Sequence, residues 1–177
     1  MIPLATTGEE LGLLGSEGFV AAAAWPVDKI VANINIDQTG MLWPIADVVA
    51  DGAERSSLAA PVARAAAELG VAVSPDPVPE QAFFIRSDQA PFARAGIPSM
   101  IFRPGFLDRT GSTSHNRALF EKWRSTAYHG PLDKLEQIPP IDFESGITMA
   151  RLAFLTALEV ANADARPRWN PGGVFAR

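Results

Sequence analysis

The sequence predicts an α/β sandwich with a mostly parallel sheet, and three observations carry that expectation. Short apolar strand candidates alternate with helix-like runs along the whole chain. The chain has 177 residues, of which 47% are hydrophobic, enough for one well-packed core and too few for two, so residues 1–177 read as a single domain. Acids and an imidazole recur where strand candidates give way to loops, at Glu9 and Glu10, Asp37, Asp88 and His129. Such turns are where α/β enzymes gather ligands from distant parts of the chain.

The elements follow in order. Ile2–Thr6 is apolar and reads as the tail of a buried strand, so the chain opens inside a core element. Leu11–Ala24 is rich in Leu and Ala and stops at Trp25-Pro26, which marks a helix. Val31–Asp37 alternates apolar and polar residues as a strand does. Ala46–Ala50 is a second strand, ended by Asp51-Gly52, and Ser56–Leu69 a strong helix with Gly70 as its stop. Val71–Val73 is a short strand leading into the proline-rich turn from Pro75 to Pro79. Ser87 reads as the N-cap of a helix over Ala90–Ala95, closed by Gly96. Ile97–Phe102 is a further buried strand, Arg103–Arg124 a long irregular segment of mixed charge, and Phe143–Ala161 a long amphipathic helix before a polar tail containing Trp169.

Composition narrows the partners. A formal net charge of −5 argues against nucleic acid or an anionic membrane. No stretch is apolar for long enough to span a bilayer, and residues 1–7 lack the basic region of a secretory signal. Without cysteines, disulfides and thiolate metal sites are excluded, and His, Asp and Glu are left as metal ligands. A cysteine-free chain suits any redox compartment, so the compartment stays open.

Gly8-Glu9-Glu10 is the most informative motif. Two adjacent carboxylates at the end of an apolar run are costly unless a cation lies between or beside them. A divalent metal resolves the cost: one carboxylate ligates it while the other handles a proton. The structural alternative is a capping box, with Thr7 capping a helix and Glu10 reaching back; Gly8 suits a tight turn better than a helix start. Asp37, before Gln38-Thr39-Gly40, is by itself an ordinary loop acid. His129 lies in Tyr128-His129-Gly130-Pro131-Leu132-Asp133, where the proline restricts the backbone and Asp133 stands within reach to orient the ring. Ser87 and Asp88 are explained as a cap and a first-turn acid, and His115 has no assigned role. No Gly-x-Ser-x-Gly elbow, phosphate loop or dinucleotide glycine pattern is present, which leaves no support for an unrelated serine hydrolase.

Taken in order, TTGEELGLLGSEGF, VANINID, PDPVPEQAFFIRSDQAPFARAGIPSMIF, YHGPLD and ARPRWNPGGVF resemble the co-catalytic zinc aminopeptidases, metallopeptidase family twenty-eight. The likeness runs from Ile2 almost to the carboxyl terminus. It implies a three-layer α/β/α sandwich with a mostly parallel mixed sheet of the zinc exopeptidase type, and hydrolysis of the amino-terminal bond of a peptide substrate. It also implies a site with two zinc ions, with Glu9 as general base, Glu10 and His129 as ligands to one zinc and Asp37 as ligand to the other. The Ser87-Asp88 segment resembles one near the family's site, where the next residue is commonly His; here it is Gln89. Phe83-Phe84 or the Phe106 loop shapes the side-chain pocket, the choice between them being open.

One departure sets further expectations. The family's His-x-Asp ligand motif and its bridging Asp have no counterpart in residues 1–177. The sequence therefore reads as an N-terminally truncated, carboxyl-terminal portion of a zinc peptidase domain. Zinc binding is expected to be weak or partial and peptidase activity absent, with a non-catalytic short paralogue acting as a binding module as the alternative. An unpaired sheet edge is expected to invite self-association. Members of the family are commonly exported, though no signal marks this chain.

Overall fold

The computed structural model describes residues 1–22, 25–39, 41–134 and 141–176. Its sheet consists of β1 (Asn33–Ile36), β2 (Asp47–Asp51), β3 (Ala72–Val73) and β4 (Ser99–Pro104), in the spatial order β1-β4-β2-β3. β4 is central, and its first five residues are buried. It runs parallel to β1, with Ile36 opposite Phe102, and antiparallel to β2, with Val49 opposite Arg103. β2 and β3 are parallel, joined across the helix α2 (Ala59–Leu69), so two of the three pairings are parallel. The mixed, mostly parallel sheet matches the expected fold class.

Helices cover both faces, because alternate side chains of the strands point to opposite sides. On one face Val48, Ala50, Met100 and Phe102 pack against Leu58, Val62 and Ala65 from α2 and its approach, and against Met149, Leu152 and Val160 of α6 (Phe143–Asn162). On the other face α4 (Gln89–Arg94) packs on β1 and β4, with α1 (Leu14–Ala21) and the single turn α3 (Phe83–Arg86) against it. α2 ends where expected, at Gly70, whose left-handed φ of 68° lets its N–H reach back to the last turn. No helix among the described residues is long and apolar enough to cross a membrane.

Several expectations need correction. Residues 2–6 form no strand: no backbone hydrogen bond ties them to another strand among the described residues, and Met1, Ile2 and Leu4 are exposed. Pro3 has no N–H to offer a ladder, and the segment instead lies along a groove beside Ile34 and Ile36. α1 starts only at Leu14, since Gly12 and Leu13 are both left-handed; the expected end at residues 23 and 24 lies outside the described residues. β1 is shorter than Val31–Asp37. Arg103–Arg124 is not irregular throughout. It contains α5 (Ser114–Thr126), whose Leu119 and Phe120 pack on a second apolar cluster around Trp43, Val78 and Phe106. The tail is also anchored, with Trp169 bridged to Ser56 and its Nε1 donating to the Gly96 carbonyl at 3.1 Å.

Candidate functional site

The Gly8-Glu9-Glu10 turn is held by its backbone. Gly8 adopts φ 67° and opens a single 3₁₀ turn over Glu9–Leu11. The N–H groups of Leu13, Leu14 and Gly15 return to the carbonyls of Glu9, Gly8 and Thr7 at 2.9, 3.1 and 2.8 Å. Gly15 permits that close return, since a Cβ there would stand 2.5 Å from both Thr7 N and Thr7 O. No side chain caps the turn, so the capping box is not formed and both carboxylates are released from that structural role.

Glu10 meets His129: Oε1 and Nε2 are 2.8 Å apart, with both side chains about half exposed. His129 holds a left-handed φ of 56° and stacks on Tyr128, ring centroids 3.7 Å apart. Gln38 Nε2 donates to the Tyr128 hydroxyl at 2.5 Å. Asp133 lines the same cleft, but no hydrogen bond joins it to the imidazole among the described residues. The ring is thus oriented by Glu10 and Tyr128.

Asp37 follows the last residue of β1. Ser87 Oγ donates to Asp37 Oδ2 at 3.0 Å and accepts from Asn35 Nδ2 at 3.2 Å. Ser87 is therefore not a helix cap. Asp88 is not merely a first-turn acid either: it accepts from Thr6 Oγ1 and Ser16 Oγ, both at 2.5 Å, and pins the segment before the Glu9 turn, and α1, to α4. Gln89 is fully buried. It accepts from Asn35 Nδ2 at 2.9 Å and donates to the carbonyls of Phe83 and Phe84, so its amide is used up in tying β1 to the α3 turn.

Glu9, Glu10, Asp37 and His129 all line one cleft of about 760 Å³, whose lining also includes Trp43, Phe83, Phe106 and Trp123. Burial pushes the Glu9 carboxyl above its ordinary range, the Glu10, Asp37 and Asp88 charges add to this, and the His129 imidazole opposes it. Burial also raises the Tyr128 phenol, with Glu10 next in effect, so that it holds its proton. The donor chemistry of Glu10 and His129, one carboxylate oxygen against one imidazole nitrogen, fits zinc. Among the described residues, however, no three His, Asp or Glu side chains stand close enough to form a complete metal-holding cluster. Sequence reasoning missed Asn35, Gln38 and the structural use of Gln89. Asn35 was legible only as the polar partner of an alternating strand.

Comparisons with known proteins give the family and the fold. The model for peptidase family M28 matches residues 1–152. Two structures of BSAP, a zinc aminopeptidase from Bacillus subtilis, resemble the fold. One is 25% identical with a TM-score of 0.58, covering 86% of this chain and 34% of that one. The other is 26% identical with a TM-score of 0.59, covering 92% and 37%. The chain therefore spans about a third of the length of the aminopeptidase it matches. A search of curated proteins finds no match.

Proposed function

The chain belongs to peptidase family M28, a metallopeptidase family, and from that premise we propose that its cleft is the site of a zinc aminopeptidase that hydrolyses amino-terminal peptide bonds. In this reading Glu9 is the general base, Glu10 and His129 are ligands to one zinc, and Asp37 is a ligand to a second. The observation that carries it is the 2.8 Å contact of Glu10 with His129 in a cleft shared with Glu9 and Asp37. Four residues from three distant stretches of sequence line that cleft, which supports the reading.

The residues present divide the work. Zinc, when bound, supplies Lewis-acid polarisation of the peptide carbonyl. Glu9 makes no side-chain hydrogen bond among the described residues, so its carboxylate is available to take a proton from the attacking water and return it to the leaving amine. Tyr128 accepts from Gln38, which leaves its own O–H proton to donate to the carbonyl oxygen as charge develops. Asp37 is held by Ser87, and Ser87 by Asn35, so that this carboxylate presents a defined oxygen.

Catalytic zinc normally takes three protein ligands. Glu10 with His129 offers two and Asp37 one, so residues 1–177 alone are expected to bind zinc weakly and to turn over peptide poorly. The absence of a three-donor cluster among the described residues favours, as a second reading, a peptide-binding module without hydrolysis. An aminoacyl-arylamide assay with added zinc tests both. Turnover abolished by Glu9→Gln supports a working site; no turnover at any zinc concentration, with peptide still bound, supports the module.

A further inference from the structure

The single turn α3 touches both the cleft and the carboxyl-terminal tail. Phe83, Arg86 and Ser87, the residue that ends the turn, line the cleft. Phe84 is the one buried side chain of α3, and it packs against the tail. Its ring centroid lies 6.4 Å from that of Trp169 and 5.5 Å from that of Phe175, which are 5.2 Å from each other. The Arg55 guanidinium stands 4.8 Å from the Phe84 centroid, and Gly52 leaves room for the ring, since a Cβ there would come within 2.3 Å of it. Among the described residues, none of these three rings joins either apolar cluster of the core. The tail is shaped to bring its two rings here. It follows α6 and lies beyond the residues that the family model matches. The Ser57 N–H donates to the Arg168 carbonyl and the Asn170 N–H to the Arg55 carbonyl, both at 2.9 Å. Gly172, at φ 76°, then turns the chain, and Phe175 comes to lie on Trp169.

α3 depends on support from outside itself. Four residues are too few for a helix to persist alone. The turn also opens on Ala82 at φ 50°, a conformation that lasts only where the surroundings enforce it. Two anchors are in place. Gln89 Nε2 holds the Phe83 and Phe84 carbonyls, and the tail closes over the Phe84 ring. We infer that Trp169 and Phe175 are positioning residues of the cleft: by closing over Phe84 they hold α3 so that Phe83 stays in the cleft lining and Ser87 Oγ stays on Asp37. The effect passes from the tail to Phe84, along one helical turn to Ser87, and across 3.0 Å to the Asp37 carboxylate. What Asp37 then does rests on the peptidase reading; the placement of α3 by the tail does not.

Nuclear magnetic resonance of the whole chain, labelled with nitrogen-15 and free of metal, tests the link. The probes are the Ile85 amide, which closes α3 onto the Ala82 carbonyl, and the side-chain amide of Asn35, which donates to Ser87 Oγ and Gln89 Oε1. Phe175 is only partly buried, so Phe175→Ala should fold, with circular dichroism as the check and Trp169→Ala as the second variant. Both should speed hydrogen exchange at Ile85 severalfold, a readout that ring currents do not affect, and should move the Asn35 side-chain and Asp37 backbone resonances. Phe175→Tyr, which keeps the ring, should restore the wild-type pattern. Arg166→Gln removes a tail contact remote from Phe84, the 2.7 Å bond to the Ile30 carbonyl, and should leave these probes unmoved. A tail that only adds stability would lower the melting temperature with Ile85 exchange and the Asn35 and Asp37 resonances unchanged, and that result overturns the inference. So does an Arg166→Gln effect as large as that of Phe175→Ala, or a Phe175→Tyr chain that behaves like Phe175→Ala. None of these spectra depends on zinc or turnover, so the arylamide assay tests the peptidase reading separately.

Discussion

His129 occupies a backbone conformation that few residues with a side chain adopt. Its φ is positive, at 56°, as are those of Leu13, Gln38 and Met41, at 62°, 52° and 29°, and all four line the cleft. Left-handed non-glycine residues cost about 1–3 kcal/mol each and persist where surrounding structure enforces them, characteristically at functional sites. Here the enforcing contacts are the Glu10 carboxylate and the Tyr128 ring. If Glu10 and His129 share a zinc ion, zinc should raise the melting temperature, by an amount equivalent to roughly 2.7 kcal/mol once free metal is a hundred times its dissociation constant. With two donors that point should be reached only at high zinc. His129→Ala should abolish the rise, and a wild-type melt indifferent to zinc would remove Glu10 and His129 as ligands. Asp51 makes a separate test at residue scale. Burial raises its carboxyl above the ordinary range, against the pull of Arg55 at 3.3 Å. An acid with a raised folded pKa costs stability when charged, so the cost is present at neutral pH and fades as pH falls through the folded pKa towards the unfolded one. Asp51→Asn should therefore melt above wild type at neutral pH, with the gap closing near about pH 4. A gap of the same size at both pH values would mean that the substitution acts through something other than the charge of Asp51, and a wild type that melts above Asp51→Asn at neutral pH would mean that the ion pair with Arg55 outweighs the burial.

At the scale of elements, what was legible in the sequence was whatever local periodicity decides. α2 and α6 carry apolar residues at helical spacing, and β2 and β4 are short apolar runs ended by turn residues, so their positions read directly from the chain. α5 was not legible because only Asn116 is buried along it and its surface is charged; its helix is held by Leu119 and Phe120 against the cluster of Trp43, Val78 and Phe106, most of it far away in sequence. The strand expected at Ile2–Thr6 failed for the converse reason: apolar residues suggest burial, but among the described residues no backbone hydrogen bond pairs them with a strand. In the site, the four candidate residues were legible only through their motifs, while the network of Asn35, Ser87 and Gln89 depends on two segments meeting in space. The cost of disturbing α6 follows from its packing. Leu152 is fully buried between α2 and the sheet, so Leu152→Ala should cost about 2–5 kcal/mol in a denaturant melt. A loss below about 1 kcal/mol would mean that the site collapses to fill the cavity. Gly15→Ala tests the turn at the site in the same way: its Cβ would overlap the Thr7 backbone, so the melt should fall and the Glu9 turn shift.

At the scale of the whole molecule the sheet ends in two edge strands, β1 and β3. β1 is an edge strand, and the groove beside it is lined by Ile2, Leu4, Trp25, Ile34 and Ile36 from the chain's first third and by Phe154 from α6. Phe154 is 55% exposed and Trp25 47%, in a patch that also takes in Ile2 and Leu4. Unpaired edges recruit other strands, and contiguous exposed apolar surface drives association, unless charge or a covering element prevents it. The described edge residues, Asn33 to Ile36, carry no charge that would do so. The isolated chain should therefore self-associate as its concentration rises. No residue lines both this groove and the cleft, so association through the groove need not close the cleft. Sedimentation velocity over a hundredfold range of concentration would read the effect. Wild type should move from monomer towards larger species, and Phe154→Lys, which places a charge in the lining of the groove, should hold the chain as a monomer over the same range. If wild type stays monomeric throughout, the edge is protected by its own amino-terminal segment, and residues 1–6 act as the cover that they do not provide as a strand.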